Sequence, residues 1–205
     1  MHVKPYSAKY WQQRYCNGGN SGWGSYGKLA EFKAGVINDF IAENQIQSVV
    51  ELGCGDGNQL GLLQAPDYLG VDVSEKAIEL CTNKYKSDPN KRFQLVGNPI
   101  RLDDSAELAL SLDVIYHLVE DEVYFNYMDA LFCAAQKFVI IYSSNFENRT
   151  AAHEREREFT SYVEAAFLPW DLIKKVDNPW PYPKHSDGSL ADFYVYGRRA
   201  QDAQL

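Results

Sequence analysis

The run VVELGCGDGN at residues 49–58 sets an acid, Glu51, two residues before a glycine and then places glycine at every second position, Gly53, Gly55 and Gly57. Val49, Val50 and Leu52 have the apolar character of a buried strand, so the glycines fall where that strand ends and the backbone turns tightly. A loop so free of side chains lets a ligand approach the main chain. The next apolar run, YLGVDVS at residues 68–74, carries Asp72, nineteen residues after Gly53. A carboxylate at the tip of a second strand can accept two hydrogen bonds from ribose hydroxyls. Glu51 would repel a pyrophosphate but can hold a cationic amino group. The ligand these groups describe is a nucleoside with a positive tail. A dinucleotide fits less well, because in G-x-G-x-x-G the last glycine would fall at Asn58. An ordinary strand-turn-helix with incidental glycines is the blander reading.

Two further clusters could do chemistry. In LALSLDVIYHLVED, residues 108–121, a strand over 108–115 delivers Asp113, Tyr116 and His117 to the crevice at its C-terminal end. Ser111 and Asp113, two apart, share one face of that strand. His117 titrates near neutrality and is a candidate general base with Asp113 to orient it; alternatively it is a helix-start residue packed near the ligand. The segment HEREREFTSYVEAAF, residues 153–167, brings His153, Arg155, Arg157 and Tyr162 together. Guanidinium groups bind phosphate or carboxylate in forked pairs, which makes these residues an acceptor-site candidate, with His153 second to His117 as base. The competing reading is a solvated helix face with i to i+4 charge pairs. Asp121 and Glu122 have no partners at ligand spacing, so no metal is expected.

The elements that must position these groups alternate. Residues 6–15 suggest a short aromatic helix, and residues 28–44 an amphipathic one with Leu29, Phe32, Val36, Ile37, Phe40 and Ile41 on one face. Between them NGGNSGWGSYG, residues 17–27, holds five glycines and has no preference for helix or strand; it is either a lid that orders around a ligand or a surface loop. Helices are expected over 58–64, with its positive end toward the ligand, over 74–86 with Ser74 as cap, and over 123–135. Strands are expected at 93–96, 137–143, 171–176 and 191–196, the last two separated by the proline-rich NPWPYPKHSDGS. Alternation of this kind builds a parallel sheet.

Across residues 47–143 the sequence resembles the class I S-adenosylmethionine-dependent methyltransferases: a hydrophobic-(Glu/Asp)-x-Gly-x-Gly-x-Gly motif, an acid ending the second strand, and a fourth strand running into His-Leu. The resemblance implies a single-domain α/β fold, a Rossmann-like seven-stranded sheet, mostly parallel with a C-terminal antiparallel hairpin and helices on both faces. Residues 1–45 would supply N-terminal helices and the lid, 46–145 the cofactor-binding core, and 146–205 the acceptor side and closing strands. It implies S-adenosyl-L-methionine as cofactor, with Glu51, Gly53, Cys54, Gly55, Gly57, Asp72, Val73 and Ser111 around it. Asn98 stands where many members carry an acid for the adenine amino group. Trp23 and Ser25 become lid contacts, Arg14 a partner for the methionine carboxylate, and Tyr26, His153, Arg155 and Arg157 acceptor contacts.

With 205 residues, 45% of them hydrophobic, the chain suits one domain with a full core. A net charge of -8 argues against nonspecific nucleic-acid binding. Cys16, Cys54, Cys81 and Cys133 form no zinc or C-x-x-C pattern and suggest reduced thiols in a cytoplasm. No apolar run nears the roughly 20 residues of a membrane span, and the first residues lack a signal peptide's apolar middle. The expected function is O-methylation of a small polar metabolite, sugar- or phosphate-bearing, hence a small acceptor that is anionic where it carries phosphate, with no nucleic acid and no membrane. The alternatives are a protein or RNA methyltransferase, or a noncatalytic cofactor-binding subunit of a complex.

Overall fold

A computed structural model describes residues 5–199; the first four residues, read above as the start of a chain without a signal peptide, and the last six lie outside it. Helices α1 (Tyr6–Cys16) and α2 (Gly27–Glu43) precede the sheet. Then follow β1 (Ser48–Leu52), β2 (Asp67–Asp72), α3 (Glu75–Lys84), β3 (Lys91–Leu95), β4 (Ala106–Leu112), α4 (Asp121–Ala134) and β5 (Ala135–Ser143). A hairpin of β6 (Asn148–Ala151) and β7 (Glu154–Glu156), helix α5 (Thr160–Ala166), and strands β8 (Trp170–Val176) and β9 (Asp192–Arg198) complete the order.

The main sheet has seven strands in the order β3-β2-β1-β4-β5-β9-β8. The first five run parallel, β9 is antiparallel to β5, and β8 is antiparallel to β9. Strand order reverses between β1 and β4, which opens a crevice beyond their carboxyl ends. One core cluster joins Val50, Leu52, Val71 and Ala109 to α4 through Tyr127, Met128 and Leu131. The other joins Val49, Leu108, Leu110 and Tyr142 to α2 through Ile37, Phe40 and Ile41. Because both faces are covered, the central strands are apolar on both sides, as parallel strands must be.

Three local expectations change. Residues 58–64 form one 3-10 turn, Gln59–Leu62, with Leu63 already extended. Gly61 and Pro66 leave no stretch long enough to propagate an α-helix, so the expected helix dipole is absent there. Strand β4 stops at Leu112 because Asp113 takes a left-handed backbone, φ 59°. The run containing His153 to Arg157 is a β-hairpin and not a helix face. Ser74 caps α3 as expected: its Oγ accepts from the Ala77 N–H at 3.2 Å while donating to Gln12 of α1 at 2.7 Å. No helix among the described residues is long and apolar enough to cross a membrane.

Candidate active site

The ends of β1, β2 and β4 surround one cavity, whose lining includes Glu51, Gly53, Cys54, Gly55, Asp72 and Val73. Gly97, Asn98, Asp113 and His117 line it further along, and Trp11, Tyr15, Ser21 and Ser25 reach it from the N-terminal segment. At Gly55, with φ 57°, a side chain would run into the Ser21 Oγ and the Tyr15 hydroxyl, so only glycine lets the loop and the N-terminal segment meet.

The two strand-end acids are buried. Asp72 Oδ2 accepts from the Gly55 N–H at 3.0 Å and Oδ1 from the Ser74 N–H at 2.8 Å. Burial outweighs those bonds and lifts its carboxyl to about 6. Glu51 accepts from the Tyr68 hydroxyl at 2.6 Å. Burial raises it to about 7, against the opposing effects of Tyr68 and of the Lys33 charge. Both carboxylates are thus poised to gain from a donor or cation brought by a ligand.

The glycine-rich segment is already fastened to the loop. Asp56 Oδ2 accepts from the Ser21 N–H at 2.9 Å and from the Tyr26 hydroxyl at 2.8 Å, and Ser21 Oγ accepts from the Asp56 N–H at 2.9 Å. Burial raises the Asp56 carboxyl, but these bonds and one from the Asn58 N–H prevail and hold it below the usual range. Ser25 lines the cavity. Tyr26, expected at the acceptor, instead latches Asp56. Trp23, 69% exposed, donates its indole N–H to the Asp187 carbonyl at 3.3 Å and stays outside the lining.

Several other candidates lie elsewhere than expected. Arg14 donates to the Asn20 carbonyl at 2.6 Å and does not line the cavity, because it leaves α1 on the side of the 17–22 turn. Gly57 also stays outside the lining; its carbonyl accepts from the Tyr85 hydroxyl at 2.6 Å, tying the loop to α3. Ser111 is wholly buried and accepts from the Tyr127 hydroxyl at 2.8 Å, on the α4 side. Asp113 does not share that environment, since its left-handed backbone carries it to Lys33 of α2 at 2.5 Å and to the Tyr116 hydroxyl at 3.0 Å.

The pairing of Asp113 with His117 is therefore not formed. The His117 Nδ1 lies 3.3 Å from the His153 carbonyl, and Trp11 packs edge-on at 4.9 Å. Burial depresses its basicity, more than the His153 carbonyl, Glu154 and Asp113 restore it, so the ring is neutral at pH 7. His153 stacks on Tyr10 at 4.6 Å, behind His117 and outside the cavity lining.

Arg155 and Arg157 both bond Asp121 Oδ1 at 2.8 Å, and Arg157 also donates to the Leu118 carbonyl at 3.1 Å and lies 4.3 Å from the Tyr124 ring. They clamp the β6–β7 hairpin to the start of α4 and leave no fork facing an acceptor. Arg157 is 6% exposed but Asp121 is 59% exposed, so solvent weakens the pair. Arg157→Met is expected to cost about 1–3 kcal/mol, mostly through the lost carbonyl bond and ring contact, and Arg155→Met under about 1 kcal/mol. Urea melts of the two variants check the order; equal losses would assign the hairpin's anchorage to the exposed pair alone.

Sequence reasoning missed Lys33. It is fully buried, lines the cavity beside Glu51 and Asp113, and lies 5.3 Å from the Tyr142 ring. The signal was present: Leu29, Lys33 and Ile37 are spaced by four, so a lysine interrupts the buried stripe of an amphipathic helix. Asp56 was missed because its partners Ser21 and Tyr26 lie on a distant segment. Among the described residues, no group of three His, Cys, Asp or Glu side chains is arranged to hold a metal ion.

Residues 50–139 match the family described as methyltransferase domain. No curated protein matches the chain. The N-methyltransferase NodS from Bradyrhizobium japonicum WM9, in complex with S-adenosyl-L-homocysteine, superposes with a TM-score of 0.73 at 10% identity over 96% of this chain and 100% of that one. Magnesium protoporphyrin IX methyltransferase from Synechocystis PCC 6803 with bound SAM gives 0.67 at 14% identity over 97% and 100%. The methyltransferase domain of bacterial CtHen1 gives 0.67 at 21% identity over 84% and 100%. At these identities the likeness shows a shared fold.

Proposed function

We propose that the chain, whose residues 50–139 match a methyltransferase domain, is a class I S-adenosylmethionine-dependent methyltransferase that methylates a hydroxyl of a small polar acceptor, with His117 taking the proton. The observation that carries this reading is a neutral histidine lining the same cavity as Asp72 and the glycine loop. The fit to the cofactor rests on the side-chain-free cradle at Gly53 and Gly55 and on the two buried acids. When bound in that cradle, S-adenosylmethionine would supply an electrophilic sulfonium methyl for transfer to the acceptor oxygen, leaving S-adenosylhomocysteine.

Asp72 would accept from the ribose hydroxyls, Val73 and Asn98 would border the adenine, and Glu51 would receive the methionine ammonium. Lys33 would take the place expected of Arg14 toward the methionine carboxylate, since one of its three N–H groups serves Asp113 and it lies on the cavity wall. The Trp11 ring packs His117 and, with Leu118, sheds water from the reacting end. Alignment of this kind contributes up to about 7–11 kcal/mol in well-oriented systems, and a base adds roughly a hundredfold to ten-thousandfold. Arg155 and Arg157, both bound to Asp121, give no support to a phosphate-bearing acceptor.

Methyl transfer from tritiated cofactor into a fractionated cell extract tests the reading. Label is expected in the small-molecule fraction as a methyl ether; label confined to protein or RNA overturns it. A second expectation concerns pH. Glu51 holds its proton below about 7 in the free protein, and a ligand ammonium requires it ionised, so binding releases a proton. S-adenosylhomocysteine affinity should therefore be full above that value and fall at least about tenfold between pH 8 and pH 6, where Asp72 also takes up protons. Calorimetry in buffers of different ionisation enthalpy reads both quantities, and pH-independent binding without proton release would remove Glu51 from the ammonium site.

A further inference from the structure

The turn that follows the glycine loop is bonded to the N-terminal segment at three places. Asp56 accepts from Ser21 and Tyr26, Asn58 Nδ2 donates to the Ser25 carbonyl at 2.7 Å, and Gln59 Nε2 donates to the Ala30 carbonyl at 3.0 Å. Gln59 differs from the other two in what it leaves over. It is 4% exposed and lines the cofactor cavity, and its Oε1 is buried with no hydrogen-bond partner among the described residues.

Chemistry fixes the orientation of that amide. A carbonyl accepts and cannot donate, so the Ala30 oxygen must face the Gln59 nitrogen; turning the amide over would set two oxygens against each other. The Gln59 oxygen is thereby directed away from the Ala30 carbonyl. A buried acceptor left without a donor is destabilising and gains from a ligand that brings one.

Helix α2 identifies the end of the cavity at which Gln59 stands. Ala30 and Lys33 are both buried and lie about one turn apart on α2. Lys33 reaches Asp113 at 2.5 Å, and its charge acts on Glu51. Asp72, by contrast, is turned to Gly55 and Ser74. Gln59 therefore belongs with Lys33 and Glu51, the groups set against the methionine portion of the cofactor, and not with the ribose acid.

The charges at that end account for an amide there. An ammonium carries three N–H donors, and Glu51 already accepts from the Tyr68 hydroxyl. A further carboxylate beside Glu51 and Asp113 would outnumber Lys33, the one lysine or arginine among the described residues that line the cavity. A neutral oxygen adds an acceptor without adding a buried charge.

We propose that Gln59 is a cofactor-binding residue whose Oε1 accepts a hydrogen bond from the ammonium of the methionine portion, beside Glu51, and so selects ligands that carry this amine. The inference rests on the cofactor reading above and is independent of the acceptor.

The test is calorimetric binding to the full chain of S-adenosylhomocysteine and of its deaminated analogue, in which hydrogen replaces the ammonium and the carboxylate is kept. Both are measured at pH 8, above the Glu51 value of about 7. The parent is expected to bind S-adenosylhomocysteine at least about tenfold tighter than the analogue. Gln59→Met should lose at least about tenfold in S-adenosylhomocysteine affinity while its affinity for the analogue stays within about twofold. Gln59→Leu gives the same reading if a thermal melt shows that the first variant does not fold. Equal weakening of both ligands makes Gln59 only a brace between the loop and α2 and overturns the inference, as does an S-adenosylhomocysteine affinity unchanged within about twofold. Failure of the cofactor reading registers separately, as a parent chain that binds neither ligand, and takes this inference with it.

Discussion

Asp72→Ala is expected to weaken S-adenosylhomocysteine binding by at least about 100-fold. The carboxylate is buried at the end of β2 and serves two sets of donors. It already accepts from the Gly55 and Ser74 N–H groups, which keeps the glycine loop against the start of α3. In the proposed site, ribose hydroxyls would add two further charge-assisted bonds, each worth about 1.5–3 kcal/mol, and their joint loss would span about two to four powers of ten in affinity. Asp72→Asn separates the two jobs, because the amide keeps the volume but has one acceptor oxygen to share among four donors. It should bind with intermediate affinity. Calorimetry reports the binding and a thermal melt reports the fold; an Asp72→Ala protein that folds and binds within tenfold of the parent removes this residue from the ribose site.

His117→Ala is expected to lower kcat by about 100- to 10,000-fold while S-adenosylhomocysteine affinity changes by less than about twofold. The division follows from position. His117 lies past the end of β4, edge-on to Trp11, and the glycine loop and Asp72 hold their arrangement without it. The parent should also show a pH dependence that the variant lacks. Burial places the His117 pKa below the ordinary value of about 6.5, so the ring accepts a proton freely at pH 7 and kcat falls only as pH drops through that lower value. Measuring kcat at saturating cofactor keeps the separate Glu51 effect out of the profile. A variant that turns over normally, or that keeps the acid limb, would falsify the assignment of the base.

The alternation of strands and helices was legible along the chain because its signals are local. Apolar runs at 48–52, 67–72 and 106–112, punctuated by glycines and a Ser74 cap, require only contiguous residues to be read. The same holds for the glycine loop and for Asp72, each placed by the strand that precedes it. Where local signals conflicted, boundaries moved: Asp113 reads as strand by its neighbours but adopts φ 59° because its carboxylate closes on Lys33.

What the sequence by itself determined, then, was the parallel α/β frame, the glycine loop at the end of its first strand and the two acids beside it, since strand periodicity and glycine turns depend on neighbours in the chain. The partners of the charges were decided only by the tertiary structure. Arg14 looked free and is held by Asn20; Arg155 and Arg157 looked ready for an anion and are held by Asp121; Lys33 went unread in its helix and is a buried cation of the cavity. Each outcome depends on which segment, from 6 to 80 residues away, packs against the charge. A charged side chain's role is set by the opposite charge it can reach once desolvated, and that distance exists only in the folded molecule.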